Sequence, residues 1–206
     1  MDSLIRIALV DDHAMFRNAA NLLLNKIGGY EVVLEAEEGY DLFAKLEKTE
    51  ILPDICLLDI STPHGMNGYH SLPILRIKYP TIAVVVLTVF ADKDVQSYVL
   101  EMGAAHFLSK TANYVILDSV LKDVYESWHK NNYTLPKRNT TKYFPTEQEM
   151  AVIKLCADGY NSKKIGERLN ISSRTVEKHI ENVKEELGLP NMAALISNAF
   201  RCGWVS

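Results

Sequence analysis

Leu4-Ile5-Arg6-Ile7-Ala8-Leu9-Val10 runs straight into Asp11-Asp12: one strand's length of apolar chain, stopped by two carboxylates that packing does not need. A nearly unbroken apolar run, rather than an alternating one, marks a strand covered on both faces. The pattern recurs. Ile55-Cys56-Leu57-Leu58 ends at Asp59, Ile82 to Leu87 ends at Thr88, and Ala105-His106-Phe107-Leu108-Ser109 ends at Lys110. As neighbouring parallel strands, these segments bring three carboxylates, a hydroxyl and an ammonium to one edge of a sheet. Ligands of open α/β sheets bind beyond the carboxyl ends of the strands, at a topological switch point. Such a group suits a divalent cation and a phosphoryl group.

Working outward, the spacing predicts strands at 4–10, 31–36, 55–58, 82–88 and 105–108. Helical patterns lie between them, near 14–26, 39–49, 67–78, 92–102 and 112–130. Strict alternation of this kind predicts a doubly wound α/β domain with a five-stranded parallel sheet over residues 1–130. Gly28-Gly29, Pro53, Pro80 and Gly103 punctuate the approaches to the later strands. Residues 131–144 lack apolar periodicity and read as a linker. From 145 to 206 the pattern becomes wholly helical. Thr146 and Glu149 form a capping box, Ser162 and Ser172 are read as caps of the next two helices, and a last helix runs from about 192 to 201. Two short capped helices followed by a longer one predict a small all-α helix-turn-helix domain.

The totals exclude several classes. Cys56, Cys156 and Cys202 have no paired spacing, and the six histidines form no metal-binding motif, which argues for reduced thiols and against a zinc site. No apolar run reaches membrane-spanning length, and the chain enters its first strand without a secretory leader. A cytoplasmic, non-membrane protein is expected. In residues 1–130 Asp and Glu outnumber Lys and Arg 18 to 11, whereas in 131–206 Lys and Arg lead 11 to 8. An acidic front half and a mildly basic back half fit a sensor joined to a nucleic-acid reader, although so small a basic excess is also what a solvated surface carries.

Magnesium prefers oxygen ligands and usually retains waters. Asp12, Asp59 and a backbone carbonyl just after Asp59 can bind it directly, with Asp11 acting through water. Crowded carboxylates repel one another without a cation. A carboxylate can also attack a phosphoryl group to give an acyl phosphate, with Lys110 balancing its charge and Thr88 donating a hydrogen bond. Taken singly, an Asp after a strand is usually a cap, Thr88 a β-branched strand residue and Lys110 a solvated charge. Their recurrence at successive strand ends is what favours a site. A hydrolase passing through an aspartyl phosphate would want an acid–base carboxylate two residues after its nucleophile. That position is Ser61, so an enzyme is not expected.

Asp11-Asp12-His13-Ala14-Met15-Phe16-Arg17, the loop Leu57-Leu58-Asp59-Ile60-Ser61-Thr62-Pro63 with Gly68, and Gly103-Ala104-Ala105-His106-Phe107-Leu108-Ser109-Lys110 together resemble the flavodoxin-like receiver domain of bacterial two-component response regulators of the NarL/FixJ subfamily. The resemblance implies that Asp59 accepts a phosphoryl group from a sensor histidine kinase. Mg²⁺ would be held by Asp12, Asp59 and the Ser61 carbonyl. Thr88 and Phe107 would form a switch pair, Thr88 moving to the phosphoryl group and Phe107 swinging inward behind it. The chain departs from the family where Thr111, not proline, follows Lys110. Val89 and Phe90 add bulk after Thr88, which predicts slower self-dephosphorylation.

In the third helix of the back half, Val176, Ile180, Val183 and Leu187 share an inward face. Arg174, Glu177, Lys178 and Glu181 lie opposite, with Thr175, His179 and Asn182 beside them. Charge alone describes a solvated helix as well as a reading helix. Thr146, Glu149, Ala157-Asp158-Gly159-Tyr160, Lys163, Ile165, Glu167-Arg168-Leu169, Ile171-Ser172, Thr175-Val176, His179 and Leu187-Gly188-Leu189 resemble a LuxR-type helix-turn-helix. This resemblance implies contacts to double-stranded promoter DNA from Lys163, Arg174, Thr175, Lys178, His179 and Lys184, and a homodimer when phosphorylated. The expectation is a phosphorylation-controlled transcription regulator. An adaptor whose output domain binds protein is the alternative.

Overall fold

The computed structural model describes residues 4–62, 65–89, 93–130, 143, 145–202 and 204–205. They fall into two compact units, Met1–Arg138 and Asn139–Ser206. In the first, strands β1 (Ile5–Val10), β2 (Tyr30–Ala36), β3 (Ile55–Leu58), β4 (Ala83–Thr88) and β5 (His106–Ser109) alternate with helices α1 (Ala14–Ile27), α2 (Gly39–Leu46), α3 (Gly68–Lys78), α4 (Lys93–Glu101) and α5 (Tyr114–Tyr125). The strands form one parallel sheet in the order β2-β1-β3-β4-β5. The expected doubly wound architecture is present, and its strand order reverses between β1 and β3.

The apolar strand runs are explained by burial on both faces. Ile7, Ile55, Leu58 and Val84 to Val86 are inaccessible to solvent, and each aliphatic side chain buried this way contributes about 1.5–3 kcal/mol. The register aligns Val10 with Leu58, Leu58 with Val86, and Thr88 with Ser109. The ladder then extends one residue past three strand ends. Asp11 N–H donates to the Ala36 carbonyl (3.1 Å), Asp59 N–H to Val10 (2.8 Å) and Lys110 N–H to Thr88 (2.8 Å). The polar residues that end the apolar runs are therefore fixed by sheet hydrogen bonds rather than left on free loops.

At the opposite edge of the sheet, the Arg6 backbone N–H (2.9 Å) and Nε (3.0 Å) donate to buried Asp54, and a second guanidinium nitrogen completes the fork. Burial raises the Asp54 carboxyl, but the Arg6 hydrogen bonds and charge outweigh it and hold the group below its ordinary range. A lowered folded-state pKa stabilises the fold above the ordinary carboxylate pKa, and the contribution disappears as pH falls through the lowered value. Asp54→Asn should therefore cost about 1–2 kcal/mol at pH 7, allowing for the partly exposed Arg6. In urea titrations the gap from wild type should close as pH drops below about 4. A gap that is the same at both pH values would contradict this assignment.

Some boundaries differ from the expectation. α2 stops at Leu46 rather than residue 49, where the chain turns and the Thr49 hydroxyl donates to the Ile51 carbonyl (3.1 Å). α5 stops at Tyr125 and continues as a π-helical turn, Glu126–Lys130. That turn places Trp128 in the core, 4.4 Å beneath the Arg76 guanidinium. The Lys110–Thr111 peptide is not cis. Thr111 N–H donates to Ser109 Oγ (3.2 Å), a bond that proline could not make.

The second unit contains α6 (Glu147–Ala157), α7 (Ser162–Leu169), α8 (Ser173–Glu186) and α9 (Met192–Arg201). The Thr146/Glu149 capping box is formed. Asn161, not Ser162, caps α7, its Oδ1 accepting from Lys164 N–H at 3.0 Å. Asn caps as well as Ser does, so the helix starts one residue earlier. Gly166 lets α7 lie against the following turn, because a Cβ there would sit 2.6 Å from the Ile171 carbonyl. Residues 131–142 and 144, most of the expected linker, lie outside the described residues. Among the described residues no helix is long and apolar enough to cross a membrane. All three cysteines are free, and burial pushes the Cys56 thiol up to about 12.

Candidate functional site

Asp11, Asp59, Thr88 and Lys110 meet at the carboxyl edge of β1, β3, β4 and β5. Asp11 and Asp59 are each 3 % exposed, and Thr88 is fully buried. Lys110 Nζ lies between the two carboxylates, 2.6 Å from Asp11 Oδ2 and 2.7 Å from Asp59 Oδ2. The Phe16 ring centroid lies 4.7 Å from the same nitrogen. Ser61 N–H donates to Asp59 Oδ1 (3.1 Å), and the Ser61 and Thr88 hydroxyl oxygens are 3.4 Å apart. The structure thus brings Asp59, Ser61, Thr88 and Lys110 into one hydrogen-bonded group.

One ammonium serves two buried carboxylates, and this imbalance governs the electrostatics. Burial pushes the Asp59 carboxyl above its ordinary range. Lys110 and the Ser61 amide oppose this only in part, and the Asp11 charge adds to it. Burial acts to lower the Lys110 ammonium, but hydrogen bonds and charge from both carboxylates raise it overall. The lysine is doubly satisfied while the carboxylates share it. With Asp12 alongside, the edge carries more negative than positive charge.

Asp12 is partly exposed, yet its Oδ1 is screened from solvent and accepts no hydrogen bond of good geometry. His13 Nδ1 lies 2.9 Å from that oxygen and 3.3 Å from Asp11 Oδ1. Donor atoms of Asp11, Asp12 and His13 all fall within 4.8 Å of one another. An acidic edge with an unsatisfied carboxylate oxygen fits a hard divalent cation. His13 belongs to the opening motif, but the sequence gives no sign of its closeness to the donor set; its imidazole suits a hydrogen-bonding partner of the carboxylates better than a magnesium ligand. Arg17, from the same motif, donates to the Asp11 carbonyl and lies 3.7 Å from Glu35 and 3.6 Å from Glu37. It braces the β1 end from the α1 side.

Phe107 is 8 % exposed. It is buried on β5, where an aromatic side chain gains most. Val89 is 58 % exposed, and Phe90 lies outside the described residues.

In the helical unit, Lys163, Arg174, Thr175 and Lys178 are exposed. Ser172 caps α8, its Oγ accepting from Thr175 N–H at 3.0 Å. Lys184 is partly buried, 3.8 Å from Glu181. His179 turns toward α6, its Nδ1 shielded from solvent 3.8 Å from the buried Glu149 carboxylate. It follows Val176 by three residues, so the helical twist carries it to the packed side. It therefore sits at the α6–α8 contact, directly after the exposed Lys178.

Residues 7–122 match the family model for the response regulator receiver domain, and residues 146–199 match that for bacterial regulatory proteins of the luxR family. The oxygen regulatory protein NreC of Staphylococcus aureus is 29 % identical over 213 residues, covering 96 % of this chain and 97 % of that protein. RcsB of Salmonella enterica serovar Typhimurium, solved bound to the rprA promoter with phosphomimetic BeF3⁻, aligns at TM-score 0.61 and 21 % identity, covering 94 % of this chain and 96 % of that one. A Salmonella typhimurium RcsB structure determined for its conformational dynamism in DNA interaction aligns at TM-score 0.65 and 22 % identity, covering 97 % and 98 % of the two chains.

Proposed function

The chain belongs to the two-component response regulators, with a receiver domain followed by a LuxR-type DNA-binding output, and on that premise we propose that phosphorylation of Asp59 controls binding of the second unit to promoter DNA. The observation that carries this reading is the position of Asp59, a buried carboxylate held between Lys110 and the Ser61 amide beside further acidic groups. The family is one of regulators rather than enzymes, and its receiver implies a kinase partner.

An Asp59 oxygen attacks the phosphorus of a phosphohistidine on a sensor histidine kinase. The P–N bond breaks, the imidazole leaves with its electron pair and takes up a proton, and an acyl phosphate remains on Asp59. Asp12, Asp59 and the Ser61 carbonyl would hold Mg²⁺, with Asp11 reaching it through water. When bound, the ion reduces repulsion between the carboxylate and the incoming phosphoryl oxygens. Lys110 exchanges a carboxylate partner for a phosphoryl oxygen, and the Thr88 hydroxyl turns from Ser61 toward the new acceptor. The acyl phosphate carries up to about −2 of charge where the carboxylate carried −1, so phosphorylation adds about −1 to a pocket already short of cations. Accommodating it reshapes the edge that carries Thr88 and, through β5, the buried Phe107.

The output is a DNA reader acting as a homodimer in the cytoplasm, with Lys163, Arg174, Thr175 and Lys178 at its surface of contact and Lys184 beside them. Duplex DNA selected from a random pool by the phosphorylated protein should bind it with steep salt dependence, because each neutralised phosphate releases counterions. If Lys178 contacts a phosphate, Lys178→Ala should weaken binding and flatten the log–log salt slope by about 0.9. Enrichment of no sequence by the phosphorylated protein would favour an output that binds protein.

A further inference from the structure

We propose that Glu38 is a positioning residue for phosphorylation, clamping the segment that backs onto the Asp59 main chain. The proposal rests on the reading of Asp59 as the phosphoacceptor and concerns what holds that residue in place.

Glu38 precedes α2 in an extended conformation, and its side chain caps the helix. One oxygen accepts from Asp41 N–H (2.9 Å) and the other from Tyr40 N–H (2.9 Å). The second oxygen also accepts from Met66 N–H at 2.7 Å, across 28 residues of sequence. Capping a helix needs only a short side chain, and Asp, Asn, Ser and Thr are the preferred residues. The extra methylene of Glu38 carries its carboxylate to a second segment. Met66 is gripped on its other side as well, because Gly39 N–H donates to the Met66 carbonyl at 2.8 Å.

Met66 is two residues from Gly68, the first residue of α3. A Cβ on Gly68 would sit 2.4 Å from the Asp59 carbonyl oxygen and 2.7 Å from Ile60 Cα, so the start of α3 lies directly against the phosphoacceptor backbone. The fit is equally close at the clamp. A Cβ on Gly65 would lie 2.2 Å from the Glu38 carboxylate, and one on Gly39 would lie 2.2 Å from Ser71 Oγ in α3. Glu38, Met66, Gly68 and Asp59 thus form a continuous series of close contacts. A group that must meet a phosphorus atom in line gains rate from such pre-positioning.

Glu38→Asp separates the two tasks, since the shorter carboxylate still caps α2 but falls short of Met66. In the full-length, metal-free protein, amide exchange at Met66 should quicken by roughly tenfold or more, the effect of losing a hydrogen bond to a charged acceptor. Tyr40 and Asp41 should stay protected, and the melting temperature should stay close to that of wild type. Labelling of Asp59 by a small acyl-phosphate donor with Mg²⁺ should slow several-fold. Glu38→Gln, which keeps the length and an acceptor oxygen, should recover much of both the protection and the rate. Equal labelling rates for wild type and Glu38→Asp overturn the proposal, as does slower labelling with Met66 exchange unchanged. A wild-type chain that takes no label overturns the phosphoacceptor reading itself, and the role given to Glu38 falls with it.

Discussion

Asp59→Asn is expected to take up no phosphoryl label from a small acyl-phosphate donor, and its DNA affinity should no longer respond to that donor. A carboxamide oxygen is too weak a nucleophile to form the acyl phosphate, whereas its shape matches the carboxylate. The fold should survive. Burial pushes the Asp59 carboxyl above its ordinary range, so the native state binds that proton more tightly than the unfolded chain does. Ionised Asp59 therefore costs stability at neutral pH, and the cost is relieved as pH falls through the raised value. Replacing it with a neutral isostere removes this penalty and sacrifices one of its two hydrogen bonds, to Ser61 or Lys110. The melting temperature should stay within a few degrees of wild type, and wild type should gain on the variant as the solution is acidified. Coupling between a phosphorylation site and an output is typically about 1–3 kcal/mol, so wild-type DNA affinity should change about 5- to 150-fold on phosphorylation. A variant that retains label, or one that still responds to the donor, would place the phosphoacceptor elsewhere.

The strand ends were legible because a packing rule was broken at each of them. Apolar runs need no Asp59 or Lys110 to close a core, so these residues stood out in one dimension. The sheet then carried them to one edge without any long-range pairing having to be guessed. What escaped was chemistry made between segments. Nothing local distinguishes Glu38 from an ordinary solvated glutamate, because its second partner, Met66, is remote in sequence. His13 lay inside the recognised motif, but its closeness to both carboxylates depends on how α1 leaves β1. Spacing alone sets His179 beside the exposed face of α8. Less than a quarter-turn separates such a flank from the packed side, and in the structure its Nδ1 lies 3.8 Å from the Glu149 carboxylate. The π-helical turn that seats Trp128 has no periodic signature over its five residues.

Lys110→Met should be the most destabilising single change at the site, and the loss should depend on cation and pH. The substitution preserves length and apolar bulk while deleting the charge that lies within 2.7 Å of both Asp11 and Asp59. Two buried carboxylates would then face each other without an ammonium, and orphaning buried charge typically costs about 3–5 kcal/mol. The Asp59 carboxyl, already raised, would climb further, since the group that partly held it down is gone. The penalty should be full at pH values above that higher pKa and should shrink as pH falls through it, narrowing the gap from wild type in acid. A divalent ion should do at neutral pH what the proton does in acid. Without the competing ammonium, Asp11, Asp12 and Asp59 should bind Mg²⁺ more tightly, and an ion present at a hundred times its Kd stabilises the fold by about 2.7 kcal/mol. Urea midpoints measured in chelator and in Mg²⁺ should therefore differ far more for Lys110→Met than for wild type. Even with stability restored, the variant lacks a donor for the phosphoryl oxygens, so label reaching Asp59 should not raise DNA affinity. A loss of stability indifferent to both Mg²⁺ and pH would show that Lys110 acts through packing, and would remove the electrostatic basis on which this edge is read as a cation and phosphoryl site.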